Sequence, residues 1–202
     1  MGEHIALAQN CGRCLGTKVP TSKLAIHPLE WKSSFQQRRP FLTTENQELR
    51  TSQPSPDELW MEEALRSAQR ALEAGEVPVG AVVVYAGRIV GRGWNRNVSD
   101  CDPTAHAEIV ALRDAGRNLC NHRLGGCELF ATIEPCAMCA GAAVHARVRR
   151  LVYGADDPKA GAVHSILQVI NHPSLNHQME IQGGVLAGRS AELLQEFFRK
   201  RR

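Results

Sequence analysis

The 202-residue chain has no long apolar run, few aromatic residues and little net charge. No stretch approaches the ~20 consecutive apolar residues that a membrane-spanning helix needs, so no membrane partner is expected. The N-terminus lacks the apolar core behind a basic start that marks a secretory signal. Aromatic residues make up only 5%, too few for broad stacking against bases. Formal net charge is +3, so attraction of a polyanion would rest on local basic patches. Gly87, Gly91 and Gly93 do not have the spacing of a phosphate-binding loop. There is no internal repeat.

Cysteine, by contrast, is plentiful: Cys11, Cys14, Cys101, Cys120, Cys127, Cys136 and Cys139. The number is odd, the chain is long and no export signal is visible. A disulfide scaffold fits poorly, and a reducing, cytoplasmic setting with some cysteines on metal or in catalysis fits better. Cys11-x-x-Cys14 stands alone in an irregular segment, and Cys101, Cys120 and Cys127 read as ordinary thiols.

Residues 1–56 read as an irregular, disordered extension, interrupted by Pro20, Pro28, Pro40 and Pro54. They carry seven Lys/Arg and four Asp/Glu, so the whole excess charge lies there. Residues 57–202 read as one domain. Ser55-Pro56-Asp57-Glu58 has the form of a capping box with proline at the first helical position. Trp60, Ala64, Leu65, Ala68, Ala71 and Leu72 then recur at helical spacing, and Gly75 ends the helix. A hairpin follows, with strands over 81–85 and 88–94. Beyond it the pattern predicts a helix over 104–115, a strand over 127–132 and a helix over 136–145. Next come a strand over 149–153, a short helix over 165–171, a strand over 179–182 and a terminal helix over 190–202. That order predicts a three-layer α/β/α domain around a mixed, roughly five-stranded sheet.

Two segments carry chemistry: Pro103-Thr104-Ala105-His106-Ala107-Glu108 and Glu134-Pro135-Cys136-Ala137-Met138-Cys139. Cys136 and Cys139 share one face at a helix start, where the free amides and the helix dipole favour thiolates. Two thiolates suit the charge and softness of Zn²⁺, and His106 would add a neutral imidazole. Three protein ligands leave one position open, which is the catalytic type of zinc site. Glu108 can serve as the proton carrier beside it. In mid-helix His106 and Glu108 would point about 200° apart, so both reach one site only from the first turn.

His-x-Glu with Pro-Cys-x-x-Cys is the known signature of zinc nucleobase deaminases, matched here rather than derived. Further stretches extend the likeness. They are Glu76 to Ala81, Gly93-Trp94-Asn95-Arg96, Asp102 to Glu108, Glu134 to Ala142, Gly154 to Lys159, Asn176-His177 and Phe197-Phe198-Arg199. With these, most of residues 57–202 resembles the bacterial tRNA-specific adenosine deaminases of the zinc-dependent cytidine/deoxycytidylate deaminase superfamily. The resemblance implies a cytidine-deaminase-like fold and one Zn²⁺ per subunit on His106, Cys136 and Cys139. It implies hydrolysis of the wobble adenosine of a tRNA anticodon to inosine by a zinc-bound hydroxide, with Glu108 shuttling protons. By the same resemblance Asn95, Val77, Ala107 and Pro135 meet the flipped base. Asp157, Lys159, Phe198, Arg199, Arg201 and Arg202 become candidate RNA contacts, and a homodimer is expected.

Two other readings stay open on the sequence. One is a deaminase of a free base or nucleotide, of guanine or cytosine type, using the same four residues. The other is a non-catalytic, zinc-stabilised nucleic-acid-binding module, for which Glu108 has no use.

Overall fold

Ser55 starts the first helix of the computed structural model, which describes residues 53–201. Its hydroxyl accepts the Glu58 amide at 3.2 Å, and the Glu58 carboxylate accepts the Ser55 amide at 2.6 Å. With Pro56 in the first turn this completes the expected capping box, and helix α1 runs Pro56–Glu73. Met61, Ala64, Leu65, Ala68 and Ala71 form its buried stripe. The expectations for residues 1–52, including Cys11 and Cys14, and for Arg202 lie outside the described residues.

Strands β1 (Gly80–Tyr85) and β2 (Arg88–Trp94) make the hairpin. Helix α2 (Ala107–Asn118) and strand β3 (Glu128–Ile133) follow. Helix α3 (Ala137–His145) crosses to strand β4 (Arg150–Ala155), which pairs parallel with β3. Strand β5 (Glu180–Gln182) and helix α4 (Ala187–Arg199) complete the order. The sheet runs β2-β1-β3-β4-β5, antiparallel on the β1 side and parallel from β3 to β5. It is the mixed five-stranded sheet expected.

Alternation along β1 divides the core in two, because successive side chains in a strand face opposite ways. Val82 and Val84 join Met61, Ala64, Phe130 and Val152 beneath α1. Ala81 and Val83 join Ala107, Ala111, Leu129, Ala140 and Val144 beneath α2 and α3. The helices therefore cover both faces. At Gly93, a β-carbon would lie under 3.0 Å from the Ala107 carbonyl oxygen and the Ala111 amide nitrogen. That glycine lets the first turn of α2 lie directly on β2.

Two expectations are corrected. Helix α2 begins at Ala107 rather than Thr104, because Asp102 Oδ1 accepts the Thr104 amide at 2.7 Å and closes a local turn first. Residues 165–171 form turns and irregular backbone, not a helix. The amides of Ser165, Ile166, Leu167 and Val169 bond to Glu134, Gly161 and Ala162 instead of to one another.

Candidate metal centre and active site

His106 is the N-cap of α2 and Cys136 the N-cap of α3. Both residues are extended in backbone conformation, so each leaves its side chain at a helix mouth. Cys139 lies one turn into α3 on the same side as Cys136. The ligand atoms of His106, Cys136 and Cys139 lie within 4.8 Å of one another. His106 Nδ1 is 3.6 Å from each of the two sulfurs. A tetrahedral zinc with bonds of about 2.3 Å to sulfur and about 2.0 Å to nitrogen separates those atoms by about 3.5 Å. Donor types and spacing thus fit zinc.

Electrostatics bind the three together without metal. Hydrogen bonds from Cys139 and from His106 pull the Cys136 thiol down to about 3. The Cys136 thiolate and burial push the Cys139 thiol up. His106 is raised by its bond to Cys136, against the opposing effect of burial.

Glu108 occupies the first turn of α2, as access from His106 requires, and is only 2% exposed. Burial pushes its carboxyl up, while its own backbone amide and the His106 charge act the other way. The carboxyl also sits beside the Cys139 thiol, and each shifts the other. A buried carboxyl therefore lies beside the His/Cys/Cys group.

Asn95 lies beside the same helix start. It follows β2 directly, is buried, and its Oδ1 accepts the Ala107 amide at 2.9 Å. Its backbone amide bonds Val79, whose own amide bonds Val77. The Ala107 amide expected at the base is thus held by Asn95, which leaves the Asn95 Nδ2 amine as the available donor. Val77 is half-buried and packs on the core. Pro135 is buried and its carbonyl accepts the Ala162 amide at 2.9 Å.

The expected RNA contacts within the described residues share one groove. Asp157, Lys159, Phe198, Arg199 and Arg201 line a cavity of about 710 Å³ between the end of β4 and helix α4. Phe198 is 51% exposed there and meets Phe197 edge-on. Asp157 is partly committed, since its Oδ1 accepts the amides of Lys159 and Ala160. Arg201 is committed further. Its guanidinium donates to the Gly75 carbonyl at 2.7 Å and stacks over Phe197 at 4.0 Å.

Two buried carboxylates hold loops together, a role the sequence reading assigns to neither. Glu76 accepts the Val98 and Ser99 amides and the Ser99 hydroxyl, pinning the loop that leads to His106. Burial raises its carboxyl, but the bonds from Ser99 and Val98 and the Arg201 charge outweigh that and hold it low. Glu134 accepts five hydrogen bonds from residues 157–165. It lies near Asp156 and His164 in a second group of metal-ligand type, yet those bonds occupy its oxygens. Neither pairing has a local sequence pattern, because the partners lie 22 to 31 positions away.

Comparison with known proteins agrees with this site. Residues 54–155 match the cytidine and deoxycytidylate deaminase zinc-binding region. The chain is 48% identical over 147 residues to a tRNA-specific adenosine deaminase of Haemophilus influenzae, covering 72% of this chain and 85% of that one. The enzyme of the same name from Agrobacterium fabrum is 47% identical over 143 residues, covering 71% and 94%. A structure from a study of A-to-I editing by tRNA:A34 deaminases at the wobble position superimposes with a TM-score of 0.65 at 46% identity. It covers 67% of this chain and 99% of that chain. A guanine deaminase from Nitrosomonas europaea has a TM-score of 0.59 at 28% identity, covering 69% and 83%. A half-chain family match and relatives of this identity and coverage place the chain in the zinc-dependent cytidine/deoxycytidylate deaminase family, among the tRNA-specific adenosine deaminases.

Proposed function

We propose that this protein is a zinc-dependent hydrolase that deaminates adenosine to inosine at the wobble position of a tRNA anticodon. The observation that carries the reading is Glu108, a buried carboxyl beside a His/Cys/Cys cluster. The chain around it matches tRNA-specific adenosine deaminases at 47–48% identity. A zinc-stabilised binding module has no use for such a carboxyl, and the guanine deaminase is the more distant relative at 28% identity.

His106, Cys136 and Cys139 would hold the zinc, one ion per chain. Bound there, it acidifies water and so supplies a nucleophile at neutral pH. The chemistry adds water at C6 of adenine and releases ammonia. Glu108 takes a proton from the water and delivers it to N1, then takes the proton of the new C6 hydroxyl and passes it to the departing amine, which leaves as ammonia. Its burial keeps that proton from leaking to solvent. Asn95, oriented by the Ala107 amide, offers its Nδ2 amine to a ring nitrogen of the base, and Val77 and Pro135 wall the pocket. A stacked base cannot reach so recessed a centre, so the substrate must present an unpaired nucleotide, as an anticodon loop does. Lys159, Arg199 and Phe198 in the groove meet the RNA backbone and a neighbouring base. A homodimer and a cytoplasmic setting complete the reading, and residues 57–202 carry the whole activity.

The test is incubation of the zinc-loaded protein with a tRNA bearing adenosine at the wobble position, followed by sequencing for adenosine read as guanosine. Conversion at that position, absent in Glu108→Ala, is expected. Ammonia released from free guanine or cytosine with the tRNA untouched would overturn the assignment.

A further inference from the structure

Glu134 follows β3 and precedes the Pro135-Cys136 segment, and its side chain is fully buried at 0% exposure. Oε1 accepts the amides of Val163, His164 and Ser165 at 2.9 to 3.0 Å. Oε2 accepts the Asp157 amide at 3.1 Å and the Ser165 hydroxyl. One carboxylate thus gathers both ends of the loop after β4, the loop that displays Asp157 and Lys159. The neighbouring backbone grips the same loop. Pro135 accepts the Ala162 amide, and Cys136 forms an antiparallel bridge with Gly161. Gly161 has no room for a side chain, since a β-carbon there would collide with the Glu134 carboxylate and lie 2.6 Å from the Asp157 carbonyl oxygen.

We propose that Glu134 is a positioning residue that fixes the distance between the Cys136 metal ligand and the RNA-contacting loop at Asp157–Lys159. RNA held by the loop is thereby delivered at a set reach from the metal. The proposal rests on the tRNA reading above. A charged acceptor is required because all five partners are donors. Glutamine in its place would turn a donor toward backbone amides and release part of the loop.

The experiment measures kcat and KM for a tRNA with a wobble adenosine, with zinc content and melting temperature. It compares wild type, Glu134→Gln, Ser165→Ala, Lys159→Ala and the Glu134→Gln/Lys159→Ala double variant. A loop displaced by about 1 Å costs about 10- to 100-fold. That loss is expected in kcat/KM, including a raised KM, for Glu134→Gln, with zinc content at the wild-type level. Lys159→Ala should add little on top of it, because a released loop no longer holds the lysine in register. Ser165→Ala should raise KM in the same direction by a smaller factor without loss of fold, and it decides the matter if Glu134→Gln does not fold. An unchanged KM in Ser165→Ala, or independent multiplicative effects of Glu134→Gln and Lys159→Ala, would overturn the proposal. So would a loss of zinc and kcat together at constant KM. Wild-type protein that leaves the wobble adenosine untouched would overturn the functional reading and this proposal with it. Wild-type conversion with unresponsive variants overturns the proposal alone.

Discussion

Replacing Gly93 by alanine would place a methyl carbon under 3.0 Å from the Ala107 carbonyl oxygen and the Ala111 amide nitrogen. Both are backbone atoms of α2 and cannot swing aside. Carbon and oxygen approach to about 3.3 Å at the closest, so the first turn of α2 must retreat by about 1 Å. That turn holds Glu108 and follows directly on His106. A misplacement of that size costs about 100-fold in turnover. Overpacking also destabilises by about 1–3 kcal/mol, a melting shift of roughly 2–12 °C for a domain of this size. The assay is kcat/KM on a wobble-adenosine tRNA beside a thermal melt of the zinc-loaded protein. Gly116→Ala in the same helix is the control, since its β-carbon meets only Asn121 at 3.4 Å. It should keep full activity and gain up to about 1 kcal/mol. Wild-type kcat/KM and melting in Gly93→Ala would refute the claim that helix-to-strand contact sets the position of the catalytic turn.

Three further outcomes follow from named contacts. Glu76 has a depressed carboxyl in the fold, so its contribution is present above the ordinary value of 4.5 and is lost as pH falls below it. The melting-temperature gap between wild type and Glu76→Gln should therefore be wide at pH 7 and narrow in acid, whereas a constant gap would contradict the role given to the Ser99 contacts. Chelation should abolish turnover and, at about 100-fold excess of zinc over its dissociation constant, remove about 2.7 kcal/mol of stabilisation, both restored by zinc. Lys159→Ala should lower the salt slope of RNA binding by about 1. Arg201→Ala should leave that slope unchanged, because Arg201 is tied to Gly75 and Phe197.

What could be read from the residues was whatever is encoded locally. The capping box at Ser55 and Glu58, the hairpin, and the two helix starts that carry His106 and Cys136 all announce themselves within a few positions. The boundary at Thr104 was misplaced because Asp102 can cap either a helix or a turn, and the turn prevails when it can bond both the Thr104 amide and hydroxyl. The segment 165–171 has helical spacing, yet its leading amides are claimed by Glu134 and Gly161 from outside. Helix α4 starts three residues earlier than its apolar pattern suggests, behind Leu186 in the left-handed region. Glu76, Glu134 and the clamp on Arg201 depend on contacts between distant segments, which neither composition nor periodicity encodes. The sheet order β2-β1-β3-β4-β5 is hidden for the same reason.

The central claim is that Glu108 carries protons for hydrolysis at the His106/Cys136/Cys139 centre. Single-turnover conversion of a wobble-adenosine tRNA by zinc-loaded Glu108→Gln tests it most directly. Glutamine keeps the shape and the metal ligands but cannot carry the proton. The account predicts wild-type zinc content and RNA affinity with conversion slowed by about 100- to 10,000-fold. Wild-type conversion rates with zinc in place would contradict it.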